Sequence, residues 1–340
     1  MTSRVALDGP GRLLLVIGDP NGIGPEIAVK AARAQAHDPA LSPVLVGDRF
    51  VVEAQLSGSD VSIRAFEATS PPSPGVLDLV DVAALSATQF RPGVVSAAAG
   101  AATVAYLSAA VDLVRQGQAR AIVACPHSET AINAAGIPFS GYPSLLAKLL
   151  GVPPEQVFLL LVGGGLRIVH ATLHERLADA LDRLSPDLVH GACVAAVAAL
   201  MSLGIPSPRI GVFGINPHAG ENGLFGTDDE RITTPAVAAL RRDGHTVDGP
   251  IGADVLLRAP NYDGFVAMYH DQGHIPVKLL AGRDSSALAI GAGLLFSSVG
   301  HGAAFDIAGT GTADPGAVIN TLTLLGGRGS QHLTEAGLHR

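Results

Sequence analysis

The chain has 340 residues, with 22 Lys or Arg against 30 Asp or Glu, a formal charge of −8, and 48% hydrophobic against 15% charged residues. That length builds one large α/β domain or two smaller ones with ample core, and the acidic balance argues against nucleic acid and anionic membrane surfaces as partners, which call for excess Lys and Arg. Tryptophan is absent and aromatics total 4%, which disfavours a stacking platform for single strands, while two cysteines without paired spacing, Cys125 and Cys193, fit neither a disulfide scaffold nor a zinc–thiolate site and suit a reduced cytoplasm.

In chain order, the apolar run at 13–17 reads as a strand; it is too short for a signal h-region and ends in GDPNG, not in a cleavage site. A helix at 25–35 and a strand at 44–47 follow, then a Pro/Ser-rich surface loop at 67–75. Ser96 caps a predicted helix over 96–116. Strands at 121–124, 157–162 and 167–171 precede helices at 175–184 and 188–203. A strand at 210–214, a helix at 233–243, strands at 264–268 and 287–290, and a helix at 315–325 with Pro315 in its first turn complete the order. Residues 326–340 read as a loose tail. Short apolar runs alternating with Ala-rich periodic stretches predict an α/β fold with a mostly parallel sheet covered by helices. Mean hydropathy is +0.37, so the uncharged stretch at 188–207 is weighed as a membrane span. It is Ala-rich, contains His190, Gly191 and Ser202, and lacks the Leu/Ile/Phe density of insertion. A buried helix in a soluble, unexported, cytoplasmic protein is the expectation.

Three histidines follow predicted strands in polar contexts: His174 in HATLHE, His218 in INPHAGENG and His270 in MYHDQGH. Any one alone suits a loop or core role. Together, in the strand-end loops where α/β folds place their sites, they suggest three imidazole ligands with an open fourth position on a divalent ion. Asp271 and Asp254 are candidate supporting carboxylates or ligands; His170 and His274 rank lower. The turn GDPNGIGPE at 18–26 lacks the order of the nucleotide fingerprint and reads equally as a tight turn or as a substrate or cofactor loop. The Gly-rich stretch at 297–318 is too long for an ordinary connection and lets backbone approach a ligand closely.

HGAAFDIAGTGTADP at 301–315 resembles the adenosine-binding loop of the isopropylmalate and isocitrate dehydrogenases. GDPNGIGPEI, INPHAGENGLFGTDDE, GPIGAD, AMYHDQGHIPVK and SVGHGAAFDIAG together resemble the 4-hydroxythreonine-4-phosphate dehydrogenase (PdxA) family, over nearly the whole chain. The resemblance implies two α/β/α domains around a cleft, an isopropylmalate/isocitrate dehydrogenase-like fold. It divides the chain into a discontinuous NAD-binding domain, 1–125 with 279–340, and a metal, substrate and dimerisation domain, 126–278. It also implies a homodimer with interface active sites, a divalent metal on His174, His218 and His270, and an active-site lysine at Lys278. NAD is expected over Gly300, His301 and Gly302, with His301 and Asp314 near adenine. Apart from Arg283, no basic group suits a ribose 2′-phosphate, so NAD is preferred over NADP.

The sequence departs from the phosphate-recognising members of that family. Tyr142, Pro143 and Ser144 replace His-Thr-Glu after the FSG turn, Glu129 replaces a lysine, and Ala287 and Phe296 replace Asn and Arg. A phosphate dianion needs several donors and positive charge, most of which are gone. The blocks ACPHSETAI, FSGYPSLLAKLLG, QVFLLLVGGGLRIVHATLHE and HDQGHIPVKLLA resemble instead the terephthalate dihydrodiol dehydrogenase branch. The reaction implied is NAD-dependent oxidative decarboxylation of 1,2-dihydroxy-3,5-cyclohexadiene-1,4-dicarboxylate to protocatechuate, in which the β-keto acid formed by oxidation loses carbon dioxide. Zinc suits the nitrogen ligands. Lys278 is expected as general base or anion-binding cation, Asp254 and Asp271 as ligand-orienting or proton-relaying groups, and Ser140, Tyr142 and Ser144 as contacts to ring substituents. The rivals are a dehydrogenase of a phosphorylated hydroxy acid and a non-catalytic metal-binding relative.

Overall fold

The computed structural model describes residues 12–38, 41–139, 141–259, 261–281 and 285–327. Ser140, Arg283 and most of the predicted tail lie outside them. The described chain forms two compact units, 12–150 with 293–327 and 151–292. In chain order the strands are β1 (Arg12–Val16), β2 (Val44–Gly47), β3 (Ser62–Ala65), β4 (Val76–Asp81), β5 (Ala119–Ala124), β6 (Phe158–Gly163), β7 (Leu166–His170), β8 (Arg209–Phe213), β9 (Thr246–Ile251), β10 (Gly264–Ala267), β11 (Ser286–Gly291) and β12 (Leu294–Ser298).

In the first unit the strand order is β3-β4-β2-β1-β5-β12, every neighbour parallel. Leu13, Leu14 and Leu15 of β1 are 0% exposed, the continuous apolar signature of a parallel strand covered on both faces. Ser96 caps the helix Ala97–Arg115 as expected, its Oγ accepting from Ala99 N at 3.2 Å. That helix is long and apolar enough to cross a membrane, and half of it is buried inside the protein. At Gly100 a Cβ would lie 2.1 Å from the Ala131 carbonyl oxygen, so the missing side chain lets the helix Glu129–Ala134 dock closely. Residues 126–150, grouped in sequence with the other domain, therefore pack with this unit. Asp78 of β4, 2% exposed, is held by Arg12 at 2.8 Å and Arg64 at 2.7 Å.

In the second unit the order is β11-β6-β7-β10-β8-β9; β6 is antiparallel to both neighbours and the remaining pairs are parallel. Pairing of β11 with β6 brings residues 286–291 into this unit. The stretch weighed as a membrane span forms the helix Pro186–Ser202 with Val189, Ala192 and Cys193 at 0% exposure, a buried helix. Ile168, Phe213, Phe265, Ala267 and Val277 share the core beneath the helix His270–Ala281.

Candidate active site

Two of the three predicted metal histidines meet because of strand register. β7 and β10 are parallel neighbours paired at His170 and Ala267, so the loops leaving their C-terminal ends deliver His174 and His270 side by side, with ring centroids 5.4 Å apart. They line an open cavity of about 340 Å³ together with Leu173, Leu177, Tyr269 and Asp271. The helix His270–Ala281 repeats functional side chains every fourth residue, which sets His270, His274 and Lys278 along one face. His270 and His274 stack with centroids 3.7 Å apart.

The hydrogen-bond chain beneath this pair fixes tautomers. His170, 1% exposed, has Nδ1 3.2 Å from the Leu159 carbonyl; a carbonyl only accepts, so Nδ1 carries the proton and Nε2 the lone pair. His274 Nδ1, 3.0 Å from His170 Nε2, then donates, and its own Nε2 keeps a lone pair. Burial pushes His170 down to about 3 and His274 to about 4, each further lowered by neighbouring histidines, so both stay neutral. Burial and the adjacent His270 also hold His174 below the usual range. His270 Nδ1 lies 2.6 Å from Asp271 Oδ1, which orients Nε2 outward, the arrangement typical of a metal-binding imidazole. Gly273 permits this packing: a Cβ there would lie 2.4 Å from His170 Nε2.

His218 is not brought to this pair. Its ring contacts Phe225, centroids 6.0 Å apart, in a loop where His218, Ala219, Glu221 and Asn222 all have positive φ, at 53°, 54°, 43° and 55°. Non-glycine residues avoid this region, and such strain persists only where surroundings impose it. Asp229, 1% exposed, imposes it: its carboxylate accepts from Ile215 N at 2.8 Å, Asn216 N at 3.0 Å and Thr233 Oγ1 at 2.7 Å. Sequence reasoning passed over Asp229 as a site residue, although it lies within the quoted block INPHAGENGLFGTDDE. Among the described residues no group of three or more metal-ligating side chains forms. The donor chemistry of His174 and His270 fits a divalent ion. Lys278 Nζ donates to Ser285 Oγ at 2.6 Å. Asp254, exposed at the start of the helix Ala253–Leu257, makes no contact with these groups among the described residues.

The predicted cofactor loop lies in the other unit. A Cβ on Gly300, Gly302 or Gly311 would meet nothing within 4 Å, so these backbones are open to a ligand, as a dinucleotide-binding loop requires. His301 is exposed, its Nδ1 3.3 Å from the Gly302 carbonyl. Asp314 Oδ1 accepts from Gly316 N at 2.9 Å at the start of the helix Gly316–Leu325, and that oxygen serves the helix. Tyr142 turns into an aromatic cluster, with centroids 4.6 Å from Phe296, 4.6 Å from His127 and 5.7 Å from Phe139. Ser144 Oγ donates to the Gly141 carbonyl at 3.0 Å. Phe296 is 1% exposed. Tyr142 and Phe296 thus pack ring against ring.

A family profile described as pyridoxal phosphate biosynthetic protein PdxA matches residues 40–325. A 1,2-dihydroxy-3,5-cyclohexadiene-1,4-dicarboxylate dehydrogenase from Comamonas sp is 50% identical over 318 residues, covering 93% of this chain and 97% of its own. A D-threonate 4-phosphate dehydrogenase from Cupriavidus necator is 40% identical, over 91% of this chain and 94% of its own. The crystal structure of a terephthalate 1,2-cis-dihydrodiol dehydrogenase from Burkholderia xenovorans LB400 is 56% identical, with a TM-score of 0.83 and coverage of 93% and 98%.

Proposed function

This chain belongs to the PdxA family, and from that premise we propose that it oxidises terephthalate cis-dihydrodiol to protocatechuate, carbon dioxide and NADH, using NAD and a divalent metal, zinc by preference. The observation that carries the substrate is the ring packing of Tyr142 and Phe296, with His127 and Phe139 beside Tyr142, at two of the positions where the resemblance puts polar groups in the phosphate-recognising members. Similarity to the dihydrodiol enzymes over nearly all of both chains supports it.

The reaction balances with one oxidant. The C2–H bond breaks as hydride leaves to the nicotinamide, the C2 hydroxyl loses its proton, and the resulting ketone is β to the C1 carboxylate. The C1–carboxylate bond then breaks, its electron pair forms the enolate, and that enolate is the aromatic catecholate. A divalent ion supplies polarisation of the diol oxygens and stabilisation of oxyanion charge.

His174, His218 and His270 are the residues proposed to hold that ion, with Asp271 keeping His270 in the ligating tautomer. Of the three, His174 and His270 meet within one chain while His218 lies against Phe225, so we assign His218 to the site of a second copy in a homodimer. Leu279 and Leu224, exposed by 79% and 72%, are the apolar surface such a pairing would cover. Lys278, anchored by Ser285, is assigned the proton of the C2 oxygen, taken as hydride leaves and returned as carbon dioxide departs. Gly300, His301, Gly302 and Asp314 are assigned to NAD. Asp254 is retained as an outlying carboxylate, and Ser140, Tyr142 and Ser144 as the proposed contacts to the ring substituents. Side-by-side turnover of the dihydrodiol and D-threonate 4-phosphate tests the assignment; preference for the phosphate ester would overturn it.

A further inference from the structure

The cofactor-loop segment 299–315 between β12 and the helix Gly316–Leu325 contains neither helix nor strand, so its shape depends on partners elsewhere. Those partners come from the turn at 18–26 and the helix Gly24–Ala34 that it opens. Ile23 N donates to the Ala303 carbonyl at 2.9 Å, and a Cβ on Gly22 would lie 2.8 Å from Ala303. Glu26, 5% exposed, accepts from Gly311 N at 3.2 Å and Ala313 N at 2.8 Å. Lys30, one helical turn on, donates to the Gly311 and Ala313 carbonyls, both at 2.8 Å, and lies 2.7 Å from Glu26. One ion pair thus takes both main-chain donors and both acceptors of two alternate residues, as a neighbouring strand would.

The same turn grips a second loop. Asn21, 0% exposed, accepts from Arg91 N at 2.8 Å through Oδ1 and donates through Nδ2 to the Val94 carbonyl at 2.9 Å. Its own carbonyl accepts from Gly93 N at 2.7 Å. That loop abuts the cofactor segment: a Cβ on Gly93 would lie 3.1 Å from the Phe305 carbonyl oxygen, and one on Gly309 3.4 Å from Pro92 Cβ. Gly311 and Ala313 are small and bring little apolar surface of their own, so the charge-assisted hydrogen bonds of Glu26 and Lys30 carry their ordering.

We propose that Asn21, Glu26 and Lys30 are positioning residues for the dinucleotide. They hold 303–313 and 91–94 in the binding shape before the cofactor arrives, so that ordering is not charged against its affinity. The proposal rests on the NAD reading above. It resolves the ambiguity of the 18–26 turn: the turn is tight because it braces the cofactor loop.

The test titrates NADH, followed by its fluorescence, into the full-length wild-type protein and the variants Glu26→Gln, Lys30→Ala and Asn21→Ala. Amide exchange of 303–316 is measured without cofactor. Asp78→Asn, which disrupts a different buried ion-pair cluster of the same unit, controls for general destabilisation. Glu26→Gln is expected to weaken NADH about ten-fold, the size of one lost charge-assisted bond. It should also speed exchange at Gly311 and Ala313, and raise KM for NAD while kcat holds. Asp78→Asn should lower Tm and leave NADH affinity unchanged. Unchanged affinity in both Glu26→Gln and Lys30→Ala, weakening without faster exchange, or equal weakening in Asp78→Asn overturns the proposal while the NAD reading stands. A wild-type protein that binds no NADH overturns both. Should Glu26→Gln fail to fold, Lys30→Ala carries the same expectation and the same contrary result.

Discussion

His174 and His270 face each other with ring centroids 5.4 Å apart because β7 and β10 run parallel and end in register. His218 sits apart, beside Phe225. If the metal set is completed by a second copy, His218→Ala and His270→Ala are each inactive alone, yet a mixed dimer restores one of its two sites. Random re-pairing of equal amounts should recover about a quarter of wild-type activity. No recovery in demonstrably exchanged dimers would contradict the shared site.

Asp271 is proposed to act on the metal through His270, whose Nδ1 it meets at 2.6 Å. Asp271→Asn keeps the shape but loses the carboxylate that orients Nε2, and metal affinity should fall about ten- to a hundred-fold. Direct titration of the apoprotein with zinc checks this. Undiminished affinity would remove Asp271 from the site.

Asp19 gives a pH signature. It is fully buried, its Oδ2 has no partner, and burial raises its carboxyl from 3.8 to about 6. The folded protein therefore keeps a proton that the unfolded chain releases at lower pH. The associated stability is fully present below the unfolded value and is lost as pH rises through about 6. Asp19→Asn removes that loss, so its stability relative to wild type should improve by about 3 kcal/mol between about pH 3 and about pH 7.5. Denaturant unfolding at both values checks it, and a pH-independent difference would contradict it.

Phe296 and Tyr142 separate packing from recognition. Phe296→Ala leaves a cavity in the ring cluster and should cost about 3 kcal/mol of stability. Tyr142→Ser should raise KM for the dihydrodiol without creating activity on D-threonate 4-phosphate, because Glu129 and Ala287 still deny the phosphate its cation and donor. Gain of that activity from the single change would contradict the reading of these positions.

The elements legible in sequence are those whose pattern reflects full burial. β1, β2 and the helix Pro186–Ser202 are near-continuous apolar runs, and Ser96 announces its helix by capping chemistry. β3, SIRA, alternates but is only 4 residues long and half exposed, and β9, TVDGPI, carries Gly and Pro, so neither stands out as a strand. The helix His270–Ala281 was hidden because Gly273 and Pro276 are poor helix formers; packing of Gly273 on His170 and of Val277 into the core decides it. The pairing of His174 with His270 was suggested by their strand-end positions. The separation of His218, the bracing by Asp229 and the grip of Glu26 and Lys30 on residues far along the chain depend on tertiary contacts that no local pattern encodes.

The most direct measurement is NADH formation from terephthalate cis-dihydrodiol, followed by absorbance with product identification. Protocatechuate, carbon dioxide and NADH should appear in equal amounts, and activity should vanish on chelation and return with zinc. NADH formation from a phosphorylated hydroxy acid, with none from the dihydrodiol, would contradict the proposed function.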